Sequence, residues 1–150
     1  MPRFPDFDLV YKWIGSAYRS TQQFTKSRDI LSEGIGKAKR KCLLLTDMGE
    51  TEWQSGNINE AVYWWSQALH CLSANPIDYN AYLLLSYVAK GLGLTDFERV
   101  LLARVDSLKG GQVRLDPAMA GRLSTLVKNK KTEAMQKTLK ELQSKYFPKP

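Results

Sequence analysis

The sequence predicts an all-α fold built from repeated helical hairpins, and three observations carry that expectation. One stretch of the chain matches another 34 residues further on. Apolar residues recur at steps of three and four, the spacing of a helix that buries one face. No alternating run of Val, Ile, Thr or aromatic residues spans the length of a strand.

The repeat sets the order of the elements. Tyr11-x-x-Ile14-Gly15-x-x-Tyr18 aligns with Leu45-x-x-Met48-Gly49-x-x-Glu52, and the same offset carries Phe24 onto Ile58, Ser27 onto Ala61, Leu31 onto Trp65, Gly34 onto Ala68 and Ile35 onto Leu69. Repetition at this period marks units that stack to share a core. Helix-pairing stripes are expected through Tyr11, Ile14 and Tyr18, through Leu45 and Met48, and through Tyr82, Leu85 and Val88. Gly15 and Gly49 fall inside these helices, where glycine costs about 1 kcal/mol relative to alanine. Close approach of a neighbouring helix backbone would explain them. Asn57-x-x-Glu60 and Thr95-x-x-Glu98 read as helix starts, Gly56 as the turn between paired helices, and Gly91 and Gly93 as the end of a third first helix. The third unit stands 37 residues after the second, with three residues inserted around 75–78. Its register drifts after Gly93, where Leu94-Thr95-Asp96 lengthens the turn before Phe97.

Past Gly110-Gly111, which reads as a linker, Asp116-Pro117 marks a new helix by an N-cap and a first-turn proline. Met119, Leu123, Leu126 and Val127 form its stripe, and Met135, Leu139, Leu142 and Tyr146 form another. Residues 129–132 are either a short turn, with Thr132 capping the next helix, or helix throughout; two helices are the adopted reading.

In these motifs the chain resembles the tetratricopeptide repeat family, whose unit has a large-x-x-Leu-Gly-x-x-Tyr first helix and an Ala-x-x-x-aromatic second helix ending near Pro. The second unit matches best, in Leu45, Met48, Gly49, Gly56, Ala61, Trp65, Ala68-Leu69 and Asn75-Pro76, departing at Glu52. The first unit keeps Gly15, Tyr18 and Phe24 but has Gln22 at the turn glycine and Ser27 at the following alanine. The resemblance implies a right-handed α-α superhelix of about three helix-turn-helix units, near 8–41, 42–78 and 79–108, within one domain over 1–150. The basic helices of 116–147 would form a degenerate fourth unit or a terminal cap, because a last repeat otherwise exposes its apolar face.

The resemblance also implies a function: a non-catalytic scaffold binding a peptide or helical segment of another protein in its concave groove. By register that groove holds Lys12, Trp13 and Arg19 from the first unit, Asp47, Glu50 and Trp53 from the second, and Leu84, Tyr87 and Lys90 from the third. Aromatic and Arg anchors suit such binding. Trp65 takes a core position. The alternative filling of the groove is by the chain's own C-terminal helices. A subgroup of the family clamps chaperone C-terminal carboxylates, but only Lys12 of its clamp is present here, and Asp47 would repel a carboxylate.

Composition narrows the other classes. At 150 residues and 43% hydrophobic, the chain suits one ordinary globular domain. The longest mostly apolar run, Ala81 to Ala89, is far short of a membrane span, and Met1 to Asp8 shows no signal segment. Cys42 and Cys71 are too few for a disulfide framework, so a reduced, cytoplasmic setting is expected. Residues 1–108 balance in charge, and residues 109–150 carry the whole +7. A basic end can meet nucleic acid or an anionic surface, the second functional reading; self-association through an apolar groove or unpaired end is the third. Catalysis finds little, since His70 is the one histidine and no phosphate loop is present. Asp47, Glu50 and Glu52 cluster on one helix, as a solvated or partner-facing set rather than a metal site. No cofactor, metal or small-molecule substrate is expected.

Overall fold

The computed structural model describes residues 7–37, 41–72, 79–109 and 114–148. Among them the chain is all-α: α1 (Phe7–Ser20), α2 (Phe24–Lys37), α3 (Lys41–Gln54), α4 (Ile58–Leu72), α5 (Asn80–Gly91), α6 (Thr95–Lys109), α7 (Pro117–Lys130) and α8 (Glu133–Tyr146). None of these helices is long and apolar enough to cross a membrane. The expected insertion near 75–78, the Asn75-Pro76 helix end and the Gly110-Gly111 linker lie outside the described residues. The contacts define two compact units, residues 1–71 and 72–150.

Helix starts carry the predicted period. α1 and α3 begin at Phe7 and Lys41, and α2 and α4 begin at Phe24 and Ile58, so both pairs are offset by 34. Three turns close by one hydrogen-bond pattern. Gln22, Gly56 and Gly93 adopt left-handed backbone, with φ of 61°, 97° and 78°. Their N–H groups donate to Arg19, Trp53 and Lys90 carbonyls, while the next residues' N–H groups donate to Tyr18, Glu52 and Ala89. This is the Schellman arrangement, which satisfies carbonyls left over at a helix end. The turn after Gly93 is therefore no longer than that after Gly56. Thr95 and Asp96 are already helical, and the drift lies in the buried stripe of α6, which starts at Phe97 and continues through Leu101 and Val105.

In the first unit α1 packs on α2 and α3, and α2 packs on α3. Leu31, Leu44 and Met48 form a core cluster with Tyr11, Ile30, Ile35 and Trp64 against it. The helix-interior glycines make room for a side chain rather than for a backbone. A Cβ on Gly15 would stand 2.7 Å from Leu31 Cγ, and one on Gly49 would collide with the Trp65 indole. Close backbone approach occurs instead in the second unit, where a Cβ on Gly91 would lie 2.6 Å from the Ser124 carbonyl.

Cys42, in the first turn of α3, and Cys71, in the last turn of α4, form a disulfide with Cα atoms 5.5 Å apart. An antiparallel hairpin brings such positions together. The expected reduced pair is thus corrected, and the cytoplasmic expectation loses its support, because disulfides persist mainly in oxidising compartments.

In the second unit α5 packs on α6 and on α7. Its residues Ala81 to Ala89 are all buried, as a helix covered on several sides requires. Asp116 accepts from the Ala118 and Met119 amides to cap α7, and Thr132 accepts from Met135 to cap α8, so two helices are present. Arg114 pairs with Asp106 at 2.8 Å and holds that carboxyl below its ordinary range. Phe147, just past α8, meets the edges of Tyr82 and Phe97 at centroid distances of 6.4 and 5.7 Å, with the Arg104 guanidinium over the rings of Phe147 and Tyr82. Burial pushes the Tyr82 phenol above its usual pKa.

Candidate interaction surface

The face of α1 that carries Lys12 and Arg19 meets α3, and most of the predicted groove residues of these two helices engage one another. Lys12 Nζ stands 2.8 Å from Asp47 Oδ1. The buried Arg19 guanidinium donates to the Asp47 carbonyl and to Thr51 Oγ1, both at 3.2 Å, and pairs with Glu50 Oε2 at 3.5 Å. Thr51 also shares a 2.9 Å hydrogen bond with Ser27, whose hydroxyl donates to the Gly15 carbonyl at 2.8 Å. Arg28 pairs with Glu52 and reaches Ser55 Oγ at 2.5 Å. The acidic set on α3 is therefore engaged within the unit, with Asp47 and Glu52 buried and Glu50 partly exposed. Asp47, Glu50 and Glu52 each face a cation of a neighbouring helix. Asp47 is 2% exposed, and its Oδ2 has no hydrogen-bond partner among the described residues.

Three further predicted wall residues are buried: Trp53 at 4% exposure, Leu84 at 3% and Tyr87 at 8%. The expectation of an open groove at these positions is corrected. Within the second unit the chain's own C-terminal segment covers Tyr87. The Leu115 amide donates to its hydroxyl at 3.3 Å, and Ser124 Oγ donates to its carbonyl at 3.2 Å. A side chain at a register position of α5 is thus on the expected helix face, but a later helix occupies that face. Lys90 remains exposed.

Trp13 behaves differently. It is 62% exposed and belongs to a stripe with Val10, Ile14 and Ala17, all exposed, at the spacing of one helix face. Of the helix-pairing stripe expected from spacing, Tyr11 and Tyr18 are half-buried as that stripe requires, whereas Ile14 is exposed. The repeat register gives the stripe its meaning. Residues 34 further on are Leu44, Asp47, Met48 and Thr51, and every one of them is buried. In α3 this face is covered by the preceding hairpin; in α1 it is bare. Comparing Trp13 with Asp47 across the repeat would have found it from sequence, since α1 has only apolar residues where α3 alternates apolar and polar.

Elsewhere, an open depression of about 770 Å³ lies between the turn at Gly93–Phe97 and the end of α8, with Lys140, Gln143 and Phe147 in its wall. Its acidic residue, Asp96, is exposed and paired with Arg99. Lys128, Lys130, Lys131, Lys137, Lys140 and Lys145 are exposed on α7, α8 and the turn joining them, with Glu133 and Glu141 interleaved on α8. His70 lies exposed near the end of α4. No family model matches the chain, and no curated protein or solved structure matches it.

Proposed function

We propose that the chain is a non-catalytic scaffold of the tetratricopeptide type that binds a helical segment of a partner chain, and that its docking surface is the outer face of α1. The observation that carries this reading is the bare stripe of Val10, Trp13, Ile14 and Ala17, whose counterparts one repeat later are all covered by helices. A contiguous apolar face exposed on a globular unit marks an interaction site, and an exposed tryptophan at its centre suits a binding hot spot. A helix is the fitting ligand because helices cover the equivalent face of α3. Residues Lys12, Arg19, Asp47 and Glu50 support the surface from behind by fixing α1 on α3.

The nucleic-acid reading has less support. The exposed lysines of α8 are interleaved with Glu133 and Glu141 rather than gathered in one block.

A photo-crosslinking amino acid at position 13 tests the proposal. Irradiation in a native extract should trap a protein through a segment of helical periodicity, and Ile14→Lys in the same chain should abolish the adduct. Trapping that survives Ile14→Lys, or no trapping at all, would reject the α1 face as the docking site.

A further inference from the structure

Resting on that reading, we propose that the helix seated on the α1 face is α1 of a second copy of the chain, packed antiparallel about a twofold axis. Continuity with the internal interface gives the first argument: the same face of α3 is covered by α1 and α2, so its counterpart on α1 has the shape of a helix-packing surface. Charge complementarity gives the second. On α3 this face includes Asp47 and Thr51, which receive Lys12 and Arg19 from the covering helix. At those two places α1 has Trp13 and Ala17. Lys12 and Arg19 of an incoming copy are held on its own Asp47, Glu50 and Thr51. A head-to-tail repetition of the internal contact therefore has no such cation to bring, and the Trp13 and Ala17 side chains would not receive one.

The face therefore needs an uncharged, apolar partner. Among the described residues the other large exposed apolar side chains, Tyr63 on α4 and Val100 on α6, stand singly, and α8 presents lysines and glutamates outward. Among the described residues, the surface that matches the stripe is the stripe itself. Such a self-complementary patch is what a twofold, isologous contact uses, residue i meeting j while j meets i. Antiparallel pairing about the centre of the stripe sets Trp13 against Ile14 of the second copy, and Val10 against its Ala17.

Sedimentation velocity of the full chain over a concentration series tests this, paired with oxidative footprinting of Trp13. Dimers are expected, with Trp13 protected at high concentration and reactive on dilution. Trp13→Glu and Ile14→Lys should each raise the dissociation constant about tenfold or more. An equal mixture of the two variants should recover dimer, because residue 13 of one faces residue 14 of the other; circular dichroism checks that both remain folded. Dimers that persist in both variants, or a mixture that stays monomeric, would overturn the proposed interface. A monomer with reactive Trp13 would overturn self-association and leave the scaffold reading standing. A monomer with Trp13 protected would overturn both, since the chain itself would then cover the stripe.

Discussion

The indole of Trp65 lies against the Cα of Gly49, and its N–H donates to the Thr46 carbonyl at 3.2 Å. One repeat earlier Leu31 lies against Gly15 in the same way. The glycine and the large residue are therefore a matched pair, set at one register position in two successive hairpins. Gly49→Ala would gain helix propensity, yet its methyl group would enter the space of a fully buried ring. The overpacking should dominate, with a net loss of about 1–3 kcal/mol in urea unfolding. Trp65→Ala should cost roughly 3–5 kcal/mol. Trp53→Ala should cost a similar amount, because Trp53 is core and not groove wall; an unchanged midpoint for Trp53→Ala would restore the groove assignment.

Gln22 holds the left-handed turn position that glycine holds at Gly56 and Gly93. A residue with a Cβ is strained there by about 1–2 kcal/mol, and glycine gives back part of that through its greater freedom in the unfolded chain. Gln22→Gly is expected to raise stability by up to about 1 kcal/mol, read as a higher urea midpoint at unchanged slope. A lower midpoint would mean that the Gln22 side chain supports the turn in some other way.

The Cys42–Cys71 bond joins residues 29 apart in sequence across the α3–α4 hairpin. Closing a loop of that size should stabilise the fold by about 3–4 kcal/mol on a chain-entropy account. Protein unfolded without reductant should show no titratable thiol, and reduction or Cys71→Ser should lower the urea midpoint. Two free thiols in purified, oxidant-exposed protein would remove the bond from the fold.

Local signals made most of the helices legible. The offset of 34 placed four helix starts, and Asp116-Pro117 and Thr132 marked α7 and α8, because caps and turns act within a few residues. What covers a helix face was not local. Leu84 and Tyr87 sit where the register put them, but the segment after Arg114 reaches Tyr87, and spacing alone carries no record of that. Lys12 and Asp47 stand on corresponding helices with opposite charge, a pairing that is legible in the sequence once α1 and α3 are set side by side. The disulfide was missed for a related reason. Counting two cysteines says little until the hairpin is drawn, and then the start of α3 falls beside the end of α4.

The basic C-terminal segment separates structure from surface charge most sharply. Leu123, Val127, Met135, Leu139 and Leu142 are buried to 3% exposure or less, and Leu126 is half-buried. Each fully buried side chain contributes roughly 1.5–3 kcal/mol, so together they supply on the order of 10 kcal/mol before the entropy of ordering is subtracted. That is comparable with the whole stability of a typical domain, about 5–15 kcal/mol. Deleting residues 117–150 would also uncover Gly91 and the Tyr87 carbonyl on α5 and remove the Phe147 ring from Tyr82 and Phe97. The truncated chain should lose its cooperative melt or aggregate. The lysines behave oppositely, since Lys130, Lys131, Lys137 and Lys140 are exposed, and exposed charges add little to stability. Reversing all four to glutamate should leave the helical signal intact and move the midpoint only slightly. A truncated chain that melts normally and loses only affinity for nucleic acid or anionic vesicles would make the segment a binding tail, and the scaffold reading would give way to the charge-based one.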